Sequence, residues 1–178
     1  MTSQMPNPSY PEPVPSSEPR VASEFVYRLG DETNFAAVQP LWEKLRNFHA
    51  SLPWCFAAEV RRSSFESRKQ ELLAKSVGGK LRIELVSTSP EAADIAYCIS
   101  SVSAARAGEV DSLFIDERFR GRGIGGELLR RALAWLDSAG AISKSVSVAH
   151  ANKEAIALYE HFGFRPRSMI LQQPLDGT

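Results

Sequence analysis

Apolar residues recur along this chain in two rhythms. At helical spacing, Phe35, Val38, Leu41, Trp42, Leu45 and Phe48 share one face, which predicts a helix over 35–48 capped by Thr33 or Asn34. Pro40 lies inside that pattern and predicts a kink or a restart. Further helices are predicted over 64–74 (Phe65, Leu72 and Leu73 inward) and over 127–136 (Leu128, Leu129, Ala132, Leu133 and Leu136), the latter stopped by Gly140. A last helix, over 153–162, is opened by Asn152 and closed by Gly163. The second rhythm has period two. Leu81, Ile83 and Leu85 alternate with Arg82, Glu84 and Val86, as in a half-buried strand. Strands are also predicted over 24–29, 94–102, 107–115, 145–149 and 167–172, and 51–56 reads as an aromatic loop. Short turns between 81 and 115 imply an antiparallel meander. The strand–helix–strand passage from 107–115 to 145–149 implies a parallel pair. The order β-α-α-β-β-β-α-β-α-β describes an α/β (α+β) fold with a mixed central sheet.

Composition narrows this picture. A chain of 178 residues with 43% hydrophobic content supports one domain with a real core. Its formal net charge of zero argues against a nucleic-acid partner or a membrane surface. No apolar run approaches the ~20 residues of a membrane span, and no secretory signal opens the chain. Cys55 and Cys98 have no metal spacing and read as thiols of a cytoplasmic protein, Cys98 as a small core residue; no metal is expected. Pro6, Pro8, Pro11, Pro13, Pro15 and Pro19 mark 1–23 as a disordered Pro-rich tail, either a plain leader or a ligand for a partner domain, ahead of a domain over 24–178.

Candidate chemistry is concentrated at 109–126. A strand ending in Phe114-Ile115 runs into a loop, 118–126, that holds four glycines and three arginines, and then into a helix. A helix N-terminus offers unpartnered N–H groups and partial positive charge, and glycines let an anion approach that backbone. Arg120 and Arg122 add cationic donors, so the loop reads as a pyrophosphate cradle. Gly121, Gly123 and Gly126 fit a dinucleotide spacing, but no acidic residue follows on the next strand, and no Gly-Lys-Ser/Thr follows for a P-loop.

Arg120-Gly121-Arg122-Gly123-Ile124-Gly125 resembles the Arg/Gln-x-x-Gly-x-Gly/Ala signature of the GNAT N-acetyltransferases. Asn152 to Phe164, with Leu158-Tyr159 and Gly163-Phe164, resembles that family's second motif. Glu117 stands where a proline is common. The resemblance spans roughly 24–175 and is sharp from Glu109 onward. It implies the GNAT fold, with helices on both faces of the sheet and a splayed parallel strand pair, and acetyl-CoA as cosubstrate. In that implied arrangement Leu113, Phe114 and Ile115 hold the pantetheine arm. Arg120, Gly121, Arg122, Gly123, Ile124, Gly125 and Gly126 hold the pyrophosphate, and Asn152 contacts the arm.

The implied activity is direct acetyl transfer to a primary amine. Glu109 ranks first and Asp111 second as acid–base residues; period two puts them on one face. Tyr159 is the implied proton donor to the leaving thiolate, and His49 and His150 are weaker candidates. The alternative is a non-catalytic acyl-CoA-binding sensor or scaffold. The acceptor, a small molecule or a peptide, would be shaped by 49–65 and 168–173. Homodimers are common in the family, but this sequence carries no mark of one.

Overall fold

The computed structural model describes residues 24–174. The tail expected over 1–23 lies outside the described residues. The elements are β1 (Val26–Gly30), α1 (Phe35–Ser51), α2 (Ala57–Arg62), α3 (Phe65–Ser76), β2 (Lys80–Ser87), β3 (Asp94–Val102), β4 (Ala107–Ile115), α4 (Ile124–Ser138), β5 (Ser143–Val146) and α5 (Lys153–His161). The five strands form one sheet in sequence order. The pairs from β1 to β4 are antiparallel, and β4–β5 is parallel.

Period-two alternation gives the sheet two apolar faces. Ile83, Leu85, Tyr97, Ile99 and Phe114 pack with Val38, Leu41, Trp42, Phe65 and Leu72 of α1 and α3. Val86, Ala96, Cys98 and Val110 pack with Leu128, Leu129, Ala132 and Leu136 of α4 and with Tyr159 of α5. Strand β2 is therefore not half-buried: its polar-looking face is covered too. Glu84, 2% exposed, is accommodated there by Arg82 at 2.7 Å and Arg131 of α4 at 3.0 Å.

Helix α1 runs unbroken through Pro40, which removes one backbone donor near its start. Its cap lies earlier than expected. Asp31 and Asn34 form a capping box on the 3₁₀ turn Glu32–Asn34, and that turn leads into the helix. Ser64 caps α3 by accepting the Ser67 N–H at 3.1 Å. The six-residue α2 was not legible, because Ala57-Ala-Glu-Val-Arg-Arg62 is too short to show an apolar period.

The expected closing strand over 167–172 is absent. Arg165 donates to the carbonyls of Glu160 and Phe164, and Gln172 donates to Glu59 of α2 at 3.1 Å, while the segment pairs with no strand among the described residues. Met169, Ile170 and Leu171 stay exposed. No helix among the described residues is long and apolar enough to cross a membrane.

Candidate active site

The site begins where two parallel strands part. Pairing of β4 with β5 runs from Ala107↔Ser143 to Val110↔Val146 and stops. Strand β4 continues to Ile115, while 147–149 carries no strand, so β4 has a flank from Asp111 onward that is unpaired among the described residues. Such a flank offers backbone donors and acceptors to a ligand.

At the far end of that flank lies the glycine loop. Gly121 has φ +73° and Gly123 φ +79°, in the left-handed region that residues with a Cβ avoid. Gly123 starts α4, leaving the N–H groups of Gly121 to Gly126 without acceptors among the described residues. A pocket of about 240 Å³ opens onto them, lined also by Ile115, Phe119 and Leu158. A Cβ on Gly125 would come within 3.2 Å of Ile115 Cδ1, so the loop lies close under the strand end. A larger hollow of about 510 Å³ lies between α1 and the α2–α3 junction. It is lined by arginines and glutamates of both signs and shares no residue with the cradle.

The two cradle arginines differ. The Arg120 guanidinium turns back from the loop, lying 4.9 Å over the Phe48 ring of α1 and 5.9 Å over Phe114, with Nε donating to the Ile115 carbonyl at 3.2 Å. Arg122, about half exposed, lies over the Phe119 ring and meets Glu24 only at 3.5 Å. Arg122 is thus the cradle arginine whose guanidinium makes no hydrogen bond among the described residues.

At the near end of the flank, β4 bulges. Ile99 pairs with Ser112 and Ser100 with Val110, leaving Asp111 unopposed. Period two holds from Glu109 to Asp111, then breaks. Ser112 faces the same α1/α3 side, where its hydroxyl meets the Tyr97 hydroxyl at 2.7 Å. Lys75 of α3 joins the two carboxylates, at 2.5 Å from Glu109 and 2.6 Å from Asp111. Burial works against its charge, but the hydrogen bonds with Asp111 and Glu109 outweigh that and raise it above the ordinary lysine range. Arg68, two turns earlier on α3, donates to the Asp111 carbonyl at 2.8 Å. The Asp111 side chain is fully buried, and its Oδ2 has no partner among the described residues.

Tyr159 is buried on α5, edge-on to Phe164, next to Leu158, which lines the pocket. Burial pushes its phenol above the ordinary range, so it stays protonated at neutral pH. Asn152 caps α5 by accepting the Ala155 N–H at 3.2 Å. His49 is partly buried, which lowers its basicity, and His150 is exposed. Neither reaches the bulge by any hydrogen bond.

Sequence reasoning missed Lys75, Arg68 and Asp116. The last ends β4, hydrogen-bonded by Arg118 at 3.0 Å and by Lys44 of α1 at 2.6 Å; these cations hold its carboxyl well below the usual carboxylate range. Lys75 and Arg68 lie on the polar side of α3, and nothing in their spacing announces what they face.

Known proteins resemble this chain in part of its sequence and in its fold. The sequence model of the Acetyltransferase (GNAT) family matches residues 83–164, the span from β2 to the end of the second motif. An uncharacterized N-acetyltransferase of Methanocaldococcus jannaschii is 32% identical over 72 residues. That match covers 40% of this chain and about a third (32%) of the relative's length. Among solved structures, a mutant of the BH1408 protein of Bacillus halodurans superposes with a TM-score of 0.64 at 17% identity, over 84% of this chain and 99% of that one. The aminoglycoside N-acetyltransferase AAC(6')-Iy, solved with CoA, gives 0.59 at 14% identity over 90% and 99%. A putative acetyltransferase of Salmonella typhimurium, yncA, solved with acetyl-CoA, gives 0.59 at 18% identity over 80% of each chain. At these identities the solved structures speak for the fold. With the family match over 83–164 and the parted strands above a glycine-started helix, they give this chain the fold of those acetyltransferases and a central segment similar to the Acetyltransferase (GNAT) family.

Proposed function

We propose that this chain is an acetyl-CoA-dependent N-acetyltransferase that passes the acetyl group directly to a primary amine. The observation that carries the reading is the run of unpartnered N–H groups from Gly121 to Gly126, opening on a pocket at the end of an unpaired strand flank. That arrangement fits a diphosphate at a helix N-terminus with an amide-bearing arm along β4. The similarity to that family, and similar structures solved with CoA or acetyl-CoA, support the same donor.

In this reading Gly121 to Gly126 and Arg122 hold the diphosphate, and the backbone of Leu113 to Ile115 holds the arm. Arg120 contributes its place in the loop, while its side chain ties the loop to α1. Asn152 fixes the start of α5 and so the position of Tyr159. Bound acetyl-CoA supplies a thioester carbonyl, whose carbon–sulfur bond is exchanged for a carbon–nitrogen bond to the amine. The protein then has two protons to manage. An ammonium with a pKa near ~10.4 must lose one before it can attack, and Glu109 and Asp111, at the opening of the strand pair, are the acceptors. The departing thiolate gains one from the Tyr159 hydroxyl, which burial keeps protonated, and the second proton, shed by the attacking nitrogen as the amide forms, restores that hydroxyl.

The test is thermal unfolding of the full chain with and without acetyl-CoA, followed by thiol release against polyamines, amino acids, aminoglycosides and peptides. Protection by the donor together with amine-dependent thiol release is expected. No protection at millimolar donor would sink the donor reading. Protection with no acceptor in the panel giving turnover would favour a sensor.

A further inference from the structure

We propose that Lys75 is a positioning residue of the transfer site, holding one oxygen each of Glu109 and Asp111 and leaving the second, buried oxygen of Asp111 as the acceptor of the amine's proton. The proposal rests on the acetyltransferase reading above and assigns the proton-accepting atom within it.

Three observations carry it. First, the bulge at Asp111 has lost its β3 partner, and α3 supplies replacements. Arg68 takes the Asp111 carbonyl at 2.8 Å and Lys75 the carboxylate at 2.6 Å. Residues 68 and 75 are seven apart, so one face of α3 grips backbone and side chain together. Second, the bulge coincides with the place where β4 and β5 part, since their pairing ends at Val110↔Val146. The gripped residue is therefore the first on the open flank. Third, Asp111 is fully buried at its side chain, with Oδ2 unpartnered. A buried carboxylate oxygen without a donor is costly, and an ammonium supplies the missing one.

The surrounding charges agree. Glu109, Asp111 and Lys75 together carry a net charge of −1. From α3, Arg68 is itself balanced by Glu71 at 3.1 Å. From β3, the Tyr97 hydroxyl is engaged with Ser112, and the Cys98 thiol is pushed up to about 12 by burial, so both stay neutral. From β5, Lys144 pairs with Asp137 of α4. One negative charge is thus left at the opening, which suits a cationic acceptor. Losing Lys75 would leave two carboxylates side by side, where one proton is shared more readily.

The experiment is the pH dependence of kcat/KM, with acetyl-CoA protection measured in parallel, for wild type, Lys75→Met, Lys75→Arg, Asp111→Asn and the double variant K75M/D111N. Lys75→Met is expected to lower kcat by roughly tenfold or more and to move the acid limb to higher pH. Lys75→Arg should restore the wild-type limb. Asp111→Asn should remove the limb, and adding Lys75→Met to it should cost little more. Donor protection should persist in all five proteins. A Lys75→Met limb that coincides with wild type, with donor protection intact, overturns the proposal and leaves Lys75 as an ion pair of the fold. If Lys75→Met fails to fold, Asp111→Asn decides: full activity there overturns it as well. Loss of donor protection in wild type itself would instead count against the acetyl-CoA reading.

Discussion

In the function proposed above, the two ends of the open flank of β4 solve different problems by different means. At the far end, 121–126 works through backbone: left-handed glycines, a helix start and unpartnered N–H groups. At the near end, Glu109 and Asp111 work through side chains whose placement is set by another element, α3. The first arrangement is local, so a few neighbouring residues specify it. The second is long-range, joining positions 34 and 36 residues apart. Donor binding should therefore fail when the loop is altered and survive changes at the bulge, with turnover behaving in the opposite way.

The largest break in that contrast is expected at Gly123. Its φ of +79° is strained for any residue with a Cβ, at ~1–3 kcal/mol, and a β-branched side chain is worst. Gly123→Val should weaken acetyl-CoA binding by about 100-fold or more, or ~2.7 kcal/mol, read by calorimetric titration. Retained affinity would mean the backbone is not the binding surface. Arg122→Glu comes next. The wild-type guanidinium is about half exposed, with one long ion pair, so its reversal should leave stability nearly unchanged while affinity falls roughly tenfold, more at low salt than at high. A salt-independent affinity would remove Arg122 from the site. Glu109→Gln tests the other end. Turnover should fall several-fold, less than in Asp111→Asn because Glu109 is partly exposed and lies one step inside the paired region, and donor affinity should not change. If Glu109→Gln costs the more, the proton goes to Glu109 and the unpartnered Asp111 oxygen has another use.

The same division explains what the sequence made legible. Glycine at 121 and 123, arginine beside it and a leucine-rich helix behind state a local geometry, and the structure contains it. Pairing at β4–β5 followed from connection length. The bulge did not follow, because alternation in Glu109-Val110-Asp111 looks the same with or without an extra residue after it. Lys75 was invisible for a related reason: a lysine on the polar side of a helix usually faces solvent, and only the packing of α3 against the sheet turns it toward β4. Glu84 misled in the same way, its burial resting on Arg131, which is 47 residues distant. The segment 167–172 had strand composition, but strand composition does not supply a partner, and no strand among the described residues pairs with it.

Asp116 offers the finest test, since it sits at the cradle end yet depends on long-range side-chain contacts. It closes β4, accepts from the Arg118 N–H at 3.2 Å and is held by Arg118 and Lys44, so it ties the bend before the loop to α1. Its carboxyl is 7% exposed, but Lys44 and Arg118 are 51% and 73% exposed, so solvent screens much of the attraction. Asp116→Asn should cost about 1–2 kcal/mol at pH 7, a fall of roughly 3–6 °C in Tm. The hydrogen bonds from Arg118 and then Lys44 depress the folded carboxyl relative to its unfolded value of ~3.9. Its contribution is therefore complete above that value and is lost as pH falls through it toward the folded one. The gap in Tm between wild type and Asp116→Asn should stay constant from pH 7 to about pH 5 and then narrow as the medium is made more acidic. Acetyl-CoA affinity should fall only slightly, because the loop keeps its glycines. A gap that is unchanged at pH 3 would mean the cap geometry, not the charge, stabilises the bend, and a large loss of affinity would mean the cradle is positioned from α1 rather than by its own backbone.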